Sequence, residues 1–172
     1  IHTDHRGHAV EIAQRAARGG VDVLIVHGGD GTVNEVVNGI VGELGPGAPG
    51  PAVGVVPGGS ANVFARALGI SPDPIEATNQ LVDLLGDYRR NRRWRRIGLM
   101  DCQERWGVFT AGMGVDGDVV AAVEAQRAKG RKVTASRYIR VATREMLAKA
   151  RREPTLTLQL PDREPISGVH FA

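Results

Sequence analysis

Apolar positions along the chain change their spacing at short intervals, and each change predicts an element. A small-residue run from Ala9 to Arg18 predicts a helix stopped by Gly19-Gly20. Val23 to Val26 is aliphatic without alternation, the pattern of a parallel strand covered on both faces. The run stops at Gly28, Gly29 and Gly31, and from Thr32 onward Val33, Val36, Val37, Ile40 and Val41 fall on one helical face. Asn34, Glu35 and Asn38 lie off that face. A Gly- and Pro-rich stretch from Gly42 to Pro51 predicts a surface loop. Ala52 to Pro57 predicts a second buried strand, again ending in a glycine turn that leads to a helix from Ala61 to Leu68, closed by Gly69. A third helix, Pro74 to Leu85, is expected to pack through Leu81, Leu84 and Leu85 and to end at Gly86. Trp94 to Met100 and Trp106 to Thr110 read as strands joined by a polar turn from Asp101 to Arg105. Helices from Gly117 to Ala128 and Ser136 to Ala150 follow, separated by Lys129-Gly-Arg-Lys132. Thr155 to Leu160 and Gly168 to Ala172 read as further strands.

Two strand-turn-helix units in parallel bring both glycine turns to the carboxyl edge of one sheet, where ligands bind in such folds. A glycine turn feeding a helix N-terminus suits an anion, because the first N–H groups lack acceptors and the helix dipole favours negative charge. Asp30 sits in the middle of the first turn. A carboxylate beside phosphate is favourable only with a cation between them, which points to a nucleotide held with Mg²⁺. The plain alternative is an ordinary βα turn with a tight Gly-Gly bend. Two other glycine motifs do not fit: there is no Lys-Ser/Thr to close a P-loop, and Asn34 stands where a dinucleotide fingerprint has its third glycine. Ser60 and Asn62 open the second helix and, on residue type alone, are capping residues.

Gly28-Gly-Asp-Gly-Thr-Val-Asn-Glu-Val-Val-Asn-Gly39, followed by Pro57-Gly-Gly-Ser-Ala-Asn-Val-Phe-Ala-Arg-Ala-Leu-Gly69, closely resembles the diacylglycerol kinase catalytic domain family of lipid kinases. NAD kinases share the Gly-Gly-Asp-Gly turn, but the second motif is closer to the lipid kinases. The resemblance implies a three-layer α/β nucleotide-binding domain over residues 1–87. It also implies the start of a mainly antiparallel, β-rich lipid-binding domain over 88–172. It implies ATP and Mg²⁺ as cofactors and a lipid hydroxyl, such as that of diacylglycerol, as acceptor. Carried over residue by residue, it assigns Thr3, Gly28, Gly29, Asp30, Gly31, Thr32, Val33, Asn34, Glu35, Ser60 and Asn62 to the nucleotide, with Asp30 also the metal-binding and catalytic carboxylate. Ser60 is usually Thr in relatives, and Val63 stands where many have Asp, so any role of that acid is absent here. Gly112-Met-Gly-Val-Asp-Gly117 resembles the family's interdomain turn; on residue type, Asp116 is either a turn residue or a cleft carboxylate. The chain corresponds to the middle of the family, and the proposed general base belongs to an Asp-Gly-Glu motif that in relatives follows the position of Ala172.

Composition narrows the alternatives. The 172 residues are 42% hydrophobic, enough for a core, and no apolar run approaches the roughly 18 residues of a membrane span. With a lone Cys102 and no signal-peptide pattern, a cytoplasmic protein is expected. Residues 1–86 carry four Arg and nine acids, net −5, whereas 87–172 carry net +8. The seam between them, Asp87 to Arg96, has six Arg around Trp94. It reads either as a solvated linker or as a peripheral contact with an anionic membrane. Nucleic acid is disfavoured by the acidic first half. His2, His5 and His8, three apart, lack the acidic or thiol partners of a metal site. A homodimer is left open. Two other functions remain: an NAD-kinase-like enzyme, and a non-catalytic module that binds nucleotide or membrane.

Overall fold

The computed structural model describes residues 1–91, 94–103, 105–128, 134–149, 153–154 and 156–169. Arg92 and Arg93 of the basic seam, the 129–132 connection, Ala150, Thr155 and the terminal Phe171-Ala172 lie outside the described residues. The chain folds as two compact units, Ile1–Thr110 and Ala111–Ala172.

The first unit is built on a parallel pair of strands, β1 (Val23–Gly28) and β2 (Ala52–Pro57), in register from Val23 opposite Ala52 to Gly28 opposite Pro57. Helices α1 (His8–Arg18) and α2 (Asp30–Leu44) cover one face. Their core joins Ala9 and Ala13 to Val33, Val36, Val37, Val26 and Val55. Successive strand residues point to opposite faces, so Val56 turns the other way and meets Ala77 and Leu81 of α4 (Pro74–Asn91). That second face is only partly covered. Ile25 remains 51% exposed, so β1 is not covered on both faces, in contrast to what its unbroken aliphatic run predicts.

Small residues let α1 and α2 approach closely. A Cβ on Gly39 would lie 2.5 Å from the Val10 carbonyl oxygen and 2.8 Å from the Ala13 Cβ. Gly39→Ala should therefore force the helices apart, with a loss of about 1–3 kcal/mol from overpacking. A Tm lowered by several degrees checks this, and an unchanged Tm would mean that the helices separate without loss.

The same helix pair is tied at its far end by Arg18, whose Nε and Nη2 donate to the two Glu43 carboxylate oxygens at 2.8 and 2.7 Å. The hydrogen bond to Arg18 holds the Glu43 carboxyl below its usual range. A lowered folded-state pKa stabilises above the unfolded value, about 4.3 for Glu, and that contribution disappears as pH falls through the folded value. The Tm difference between the native chain and Glu43→Gln should therefore be largest near neutrality and close towards zero below about pH 4. Arg18 is exposed and Glu43 half-buried, so solvent still reaches the pair and the difference should also shrink with salt.

Helix boundaries depart from the sequence pattern in informative ways. The second helix is short: α3 spans Val63–Ala67, because Asn62 adopts a left-handed conformation with φ 47°. α4 does not end at Gly86 but continues to Asn91. One interior glycine costs about 1 kcal/mol, too little to stop a helix whose start is well capped. Asp73 supplies that cap, its Oδ1 accepting from Ile75 N at 2.9 Å and Glu76 N at 3.0 Å. The first part of the basic seam is thus helical, and the Tyr88 ring lies 6.0 Å from that of Trp94. Leu84, expected in the core, is exposed, and Ala77 takes its place one turn before Leu81.

Residues 94–99 form no strand; pairing begins only at β3 (Met100–Cys102) with β4 (Arg105–Gly107), antiparallel, Asp101 opposite Trp106. This hairpin belongs to the first unit, where Val108 joins the α1–α2 core and Leu99 and Phe109 pack against it.

The second unit holds α5 (Val115–Ala128), α6 (Ala135–Lys149) and an antiparallel hairpin of β5 (Leu156–Leu158) with β6 (Ile166–Val169). α5 begins two residues before the glycine expected to open it, which puts Asp116 in its first turn, exposed to solvent. Together the units form a mixed α/β protein with a parallel strand pair. No helix among the described residues is long and apolar enough to cross a membrane.

Candidate nucleotide site at the two glycine turns

Parallel pairing in register makes β1 and β2 end at the same level, so the turns after Gly28 and Pro57 lie side by side. Gly58 N donates to Gly28 O at 3.0 Å and continues the ladder one step into the turns. The backbones then touch. A Cβ on Gly29 would lie 3.1 Å from Gly59 Cα, and one on Gly59 would lie 2.6 Å from Gly29 Cα. These glycines are therefore required by contact between the two loops, whereas the sequence suggests glycines cleared for a ligand. Gly28 is similarly filled by its own chain, since a Cβ there would meet the Thr32 side chain at 2.9 Å. Gly31 is different: it is exposed, with open space where a Cβ would project.

Asp30 is the first residue of α2, not a residue of a free turn, and it is half-buried. Its Oδ1 accepts from Phe64 N, the second residue of α3, at 2.9 Å. Asn62 makes no cap for α3, so Asp30 performs that task from across the loops. The Asn62 side chain instead closes its own turn, Oδ1 accepting from Gly59 N and Nδ2 donating to Gly59 O, each at 2.9 Å.

Above these contacts the N–H groups of Asp30, Gly31 and Thr32 have no acceptor within α2, because the helical ladder begins with Val33 N to Gly29 O at 3.1 Å. Val33, next along the helix, is placed differently from these three. Its N–H bonds within the helix and its side chain is buried in the core. Asn34 is the reverse case. Its Oδ1 is buried and has no hydrogen-bond partner among the described residues. A buried acceptor left unpaired costs about 1–3 kcal/mol, which an incoming donor or cation would recover.

Glu35 reaches the other way, its Oε2 accepting from Gly7 N at 3.1 Å, and so ties the segment before α1 to the helix of the first glycine turn. Thr3 lies in that segment, exposed, with no hydrogen bond of its own among the described residues. The histidines there serve local structure: Asp4 N donates to His8 Nδ1 at 3.1 Å, and the His5 and His8 rings stack at 4.9 Å. No cluster of metal ligands occurs among the described residues. Ser60 is exposed beside a cleft of about 290 Å³ lined also by Asn62, Arg66 and Ser71, with Ala65 and Ile70 as its apolar side.

Asn38 has a role that the sequence motif does not announce. Its Nδ2 donates to Trp106 O at 2.8 Å and its Oδ1 accepts from Trp106 N at 2.9 Å. The spacing Asp30, Asn34, Asn38 is a polar i, i+4, i+8 stripe of α2, and that periodicity was the available signal.

A family model of the diacylglycerol kinase catalytic domain matches residues 1–88 of the chain. The chain belongs to this family. It is 49% identical over 69 residues to a diacylglycerol kinase of Bacillus subtilis (strain 168), covering 40% of the chain and 22% of that protein. A diacylglycerol kinase of Staphylococcus haemolyticus (strain JCSC1435) is 41% identical over 81 residues, covering 47% of the chain and 23% of its own length. A probable lipid kinase, YegS-like, of Chromohalobacter salexigens is 45% identical over 71 residues, covering 41% and 22%. Among solved structures, a diacylglycerol kinase from Bacillus anthracis str. Sterne superposes with a TM-score of 0.50 at 28% identity, over 70% of this chain and 38% of that one. The chain thus spans under a quarter of the length of these curated relatives.

Proposed function

We propose that this chain is the nucleotide-binding part of an ATP-dependent lipid kinase, which transfers the γ-phosphoryl group of ATP to a lipid hydroxyl such as that of diacylglycerol. Residues 1–87 would form its three-layer nucleotide-binding domain, and 88–172 would begin a mainly antiparallel lipid-binding domain. The observation that carries the proposal is the pair of glycine turns locked through Asp30 and Phe64, beside the buried, unpartnered Asn34 Oδ1.

The residues present fit a nucleotide with Mg²⁺. Asp30 keeps its Oδ2 free of the bond to Phe64, and Asn34 Oδ1 is a second hard oxygen of the kind that cation takes. Bound Mg²⁺ would neutralise charge developing on the phosphates. The unpaired N–H groups of Asp30, Gly31 and Thr32 would hold phosphate oxygens at the positive end of α2. Glu35 would keep the Thr3–Gly7 segment over the site, with Thr3 and Ser60 adding contacts. Arg66 lines the cleft beside Ser60 and would balance phosphate charge. Phosphoryl transfer asks mainly for such positioning and neutralisation.

The test is full-length protein with γ-labelled ATP and Mg²⁺, offered diacylglycerol micelles or NAD. Label in the lipid is the expected result; label in NAD favours the NAD-kinase-like alternative. Nucleotide binding with label in neither would leave a non-catalytic module.

For the basic seam we infer contact with an anionic membrane by a cytoplasmic protein. Changing Arg92, Arg93, Arg95 and Arg96 to Gln should weaken binding to anionic vesicles and flatten its salt dependence. Each basic residue near such a surface contributes about 1 kcal/mol. Equal vesicle binding by both forms at low salt would return the seam to the role of a linker.

A further inference from the structure

We propose that Asn38 is a positioning residue that locks the free edge of β4 to α2, and so sets the β3–β4 hairpin relative to the nucleotide turn. The backbone geometry explains why a side chain is needed there. Asp101 and Trp106 face each other across the hairpin, and both polar backbone groups of Trp106 go to Asn38. The Asp101–Trp106 pair is then the one whose N–H and C=O groups point outward, away from β3. An outward pair on an edge strand normally meets water or another strand. Here one carboxamide, with a donor and an acceptor side by side, stands in for a residue of a neighbouring strand.

The carboxamide is itself held in place. Asn38 Nδ2 also donates to Asn34 O at 2.8 Å, one turn back along α2. Both Asn38 and Trp106 are half-buried, so water competes for these bonds less well than at an open surface. The same stripe of α2 thus grips α3 through Asp30 and β4 through Asn38, eight residues apart. Asn34 Oδ1 lies on the stripe between them, buried and unpaired. A ligand held at Asn34 would sit between the two points at which α2 is fixed to neighbouring elements.

The inference rests on the lipid-kinase proposal, in which the hairpin opens the acceptor-binding half. Asn38 touches no reacting atom in that scheme. Its loss should therefore spare nucleotide binding and impair use of the acceptor.

Two variants of the full-length protein test this. Asn38→Leu removes both bonds to Trp106. Asn38→Asp keeps the shape but sets a carboxylate oxygen against the Trp106 and Asn34 carbonyls. Selective ¹⁵N-Trp labelling of the full-length protein, with the Trp106 amide assigned by its loss in Trp106→Phe, isolates that signal, and Trp94 serves as internal reference. Hydrogen exchange at the Trp106 amide should accelerate by about 5- to 50-fold in Asn38→Leu, the loss of one or two hydrogen bonds, with Trp94 unchanged. kcat/KM for the lipid should fall by tenfold or more in both variants, with the Kd for ATP within about threefold of the native value. Unchanged Trp106 exchange in Asn38→Leu would overturn the clamp. ATP affinity falling in step with lipid turnover would overturn the positioning role, since Asn38 would then be acting on the nucleotide site. If native protein phosphorylates no lipid, the kinase proposal fails and takes the acceptor role with it; exchange at Trp106 still decides the clamp on its own.

Discussion

Replacing Asp30 with Asn should abolish most phosphoryl transfer while leaving the protein folded. The two functions of this carboxylate separate cleanly at this substitution. The Asn carbonyl oxygen can still accept from Phe64 N, so the link between the glycine turns survives. What disappears is the negative charge at the start of α2, worth about 0.3–1 kcal/mol to the helix through its dipole. Tm should therefore fall by no more than about 2–4 °C. Removal of a charged group from a site where transition-state charge is balanced commonly costs about 10²–10³-fold in kcat. Asp30→Ala loses the bond as well, adding about 0.5–2 kcal/mol of destabilisation for the missing cap of α3. Phosphorylated lipid and Tm, measured together on both variants, check the two effects. Native-like turnover by Asp30→Asn at limiting Mg²⁺ would remove this residue from the catalytic scheme.

Much of the first unit was legible because its elements obey simple periods. The uninterrupted aliphatic run predicts β1, and the 3.6-residue spacing of Val33, Val36 and Val37 predicts α2, with all three buried as expected. Boundaries were harder to read where a local preference was weak. Gly86 disfavours a helix by about 1 kcal/mol, and the capped, well-seeded α4 overrides it. In the opposite direction, Asn62 looks like the start of a helix, yet its side chain is taken by Gly59 and its backbone is left-handed, so α3 starts later. Residues 94–99 carry strand-forming types without a strand to pair with among the described residues. β propensity describes a fit to a neighbouring surface more than an intrinsic choice, which is why the pattern misleads there.

The candidate site was legible as a motif but not as a mechanism of assembly. The glycines could be found, but their spacing does not reveal that Gly29 faces Gly59 while Gly31 faces open space. Asp30 reads as a ligand-facing charge, and nothing in its neighbours announces that Phe64, thirty-four residues later, uses one of its oxygens. Glu35 likewise reads as a nucleotide contact and is found bound to Gly7 N. Such long-range partners depend on parallel pairing that aligns two separate turns, a tertiary fact with no local signature. Asn38 was the nearest to being found, since its place one turn beyond Asn34 follows from the helix period alone.

Adding a single methyl group at Gly59 should disable the site more broadly than any change to a polar side chain. Gly59 has no unusual backbone angle that alanine would find difficult; the obstacle is space. The new Cβ would stand 2.6 Å from Gly29 Cα and 3.0 Å from Asn62 Oδ1. Main-chain atoms cannot rotate aside as a flexible side chain does, so one turn must move away from the other. Movement by even half an ångström or more stretches the 2.9 Å bond from Phe64 N to Asp30 and the paired bonds between Gly59 and Asn62. Hydrogen bonds weaken steeply beyond about 3.2 Å. The strain of overpacking costs about 1–3 kcal/mol, which for a protein of this size lowers Tm by several degrees. Nucleotide affinity should fall further than stability does, because phosphate contacts depend on donors held within a few tenths of an ångström. Gly31→Ala is the matched control. Its Cβ enters open space one turn away, and alanine is favoured over glycine in a helix by about 1 kcal/mol. Gly31→Ala should therefore raise Tm slightly, and any loss of ATP binding it causes would report a ligand lying directly over α2. Thermal melts and ATP titrations of the two variants decide the matter. If Gly59→Ala binds ATP as tightly as native protein, the two turns do not need to touch for the site to form.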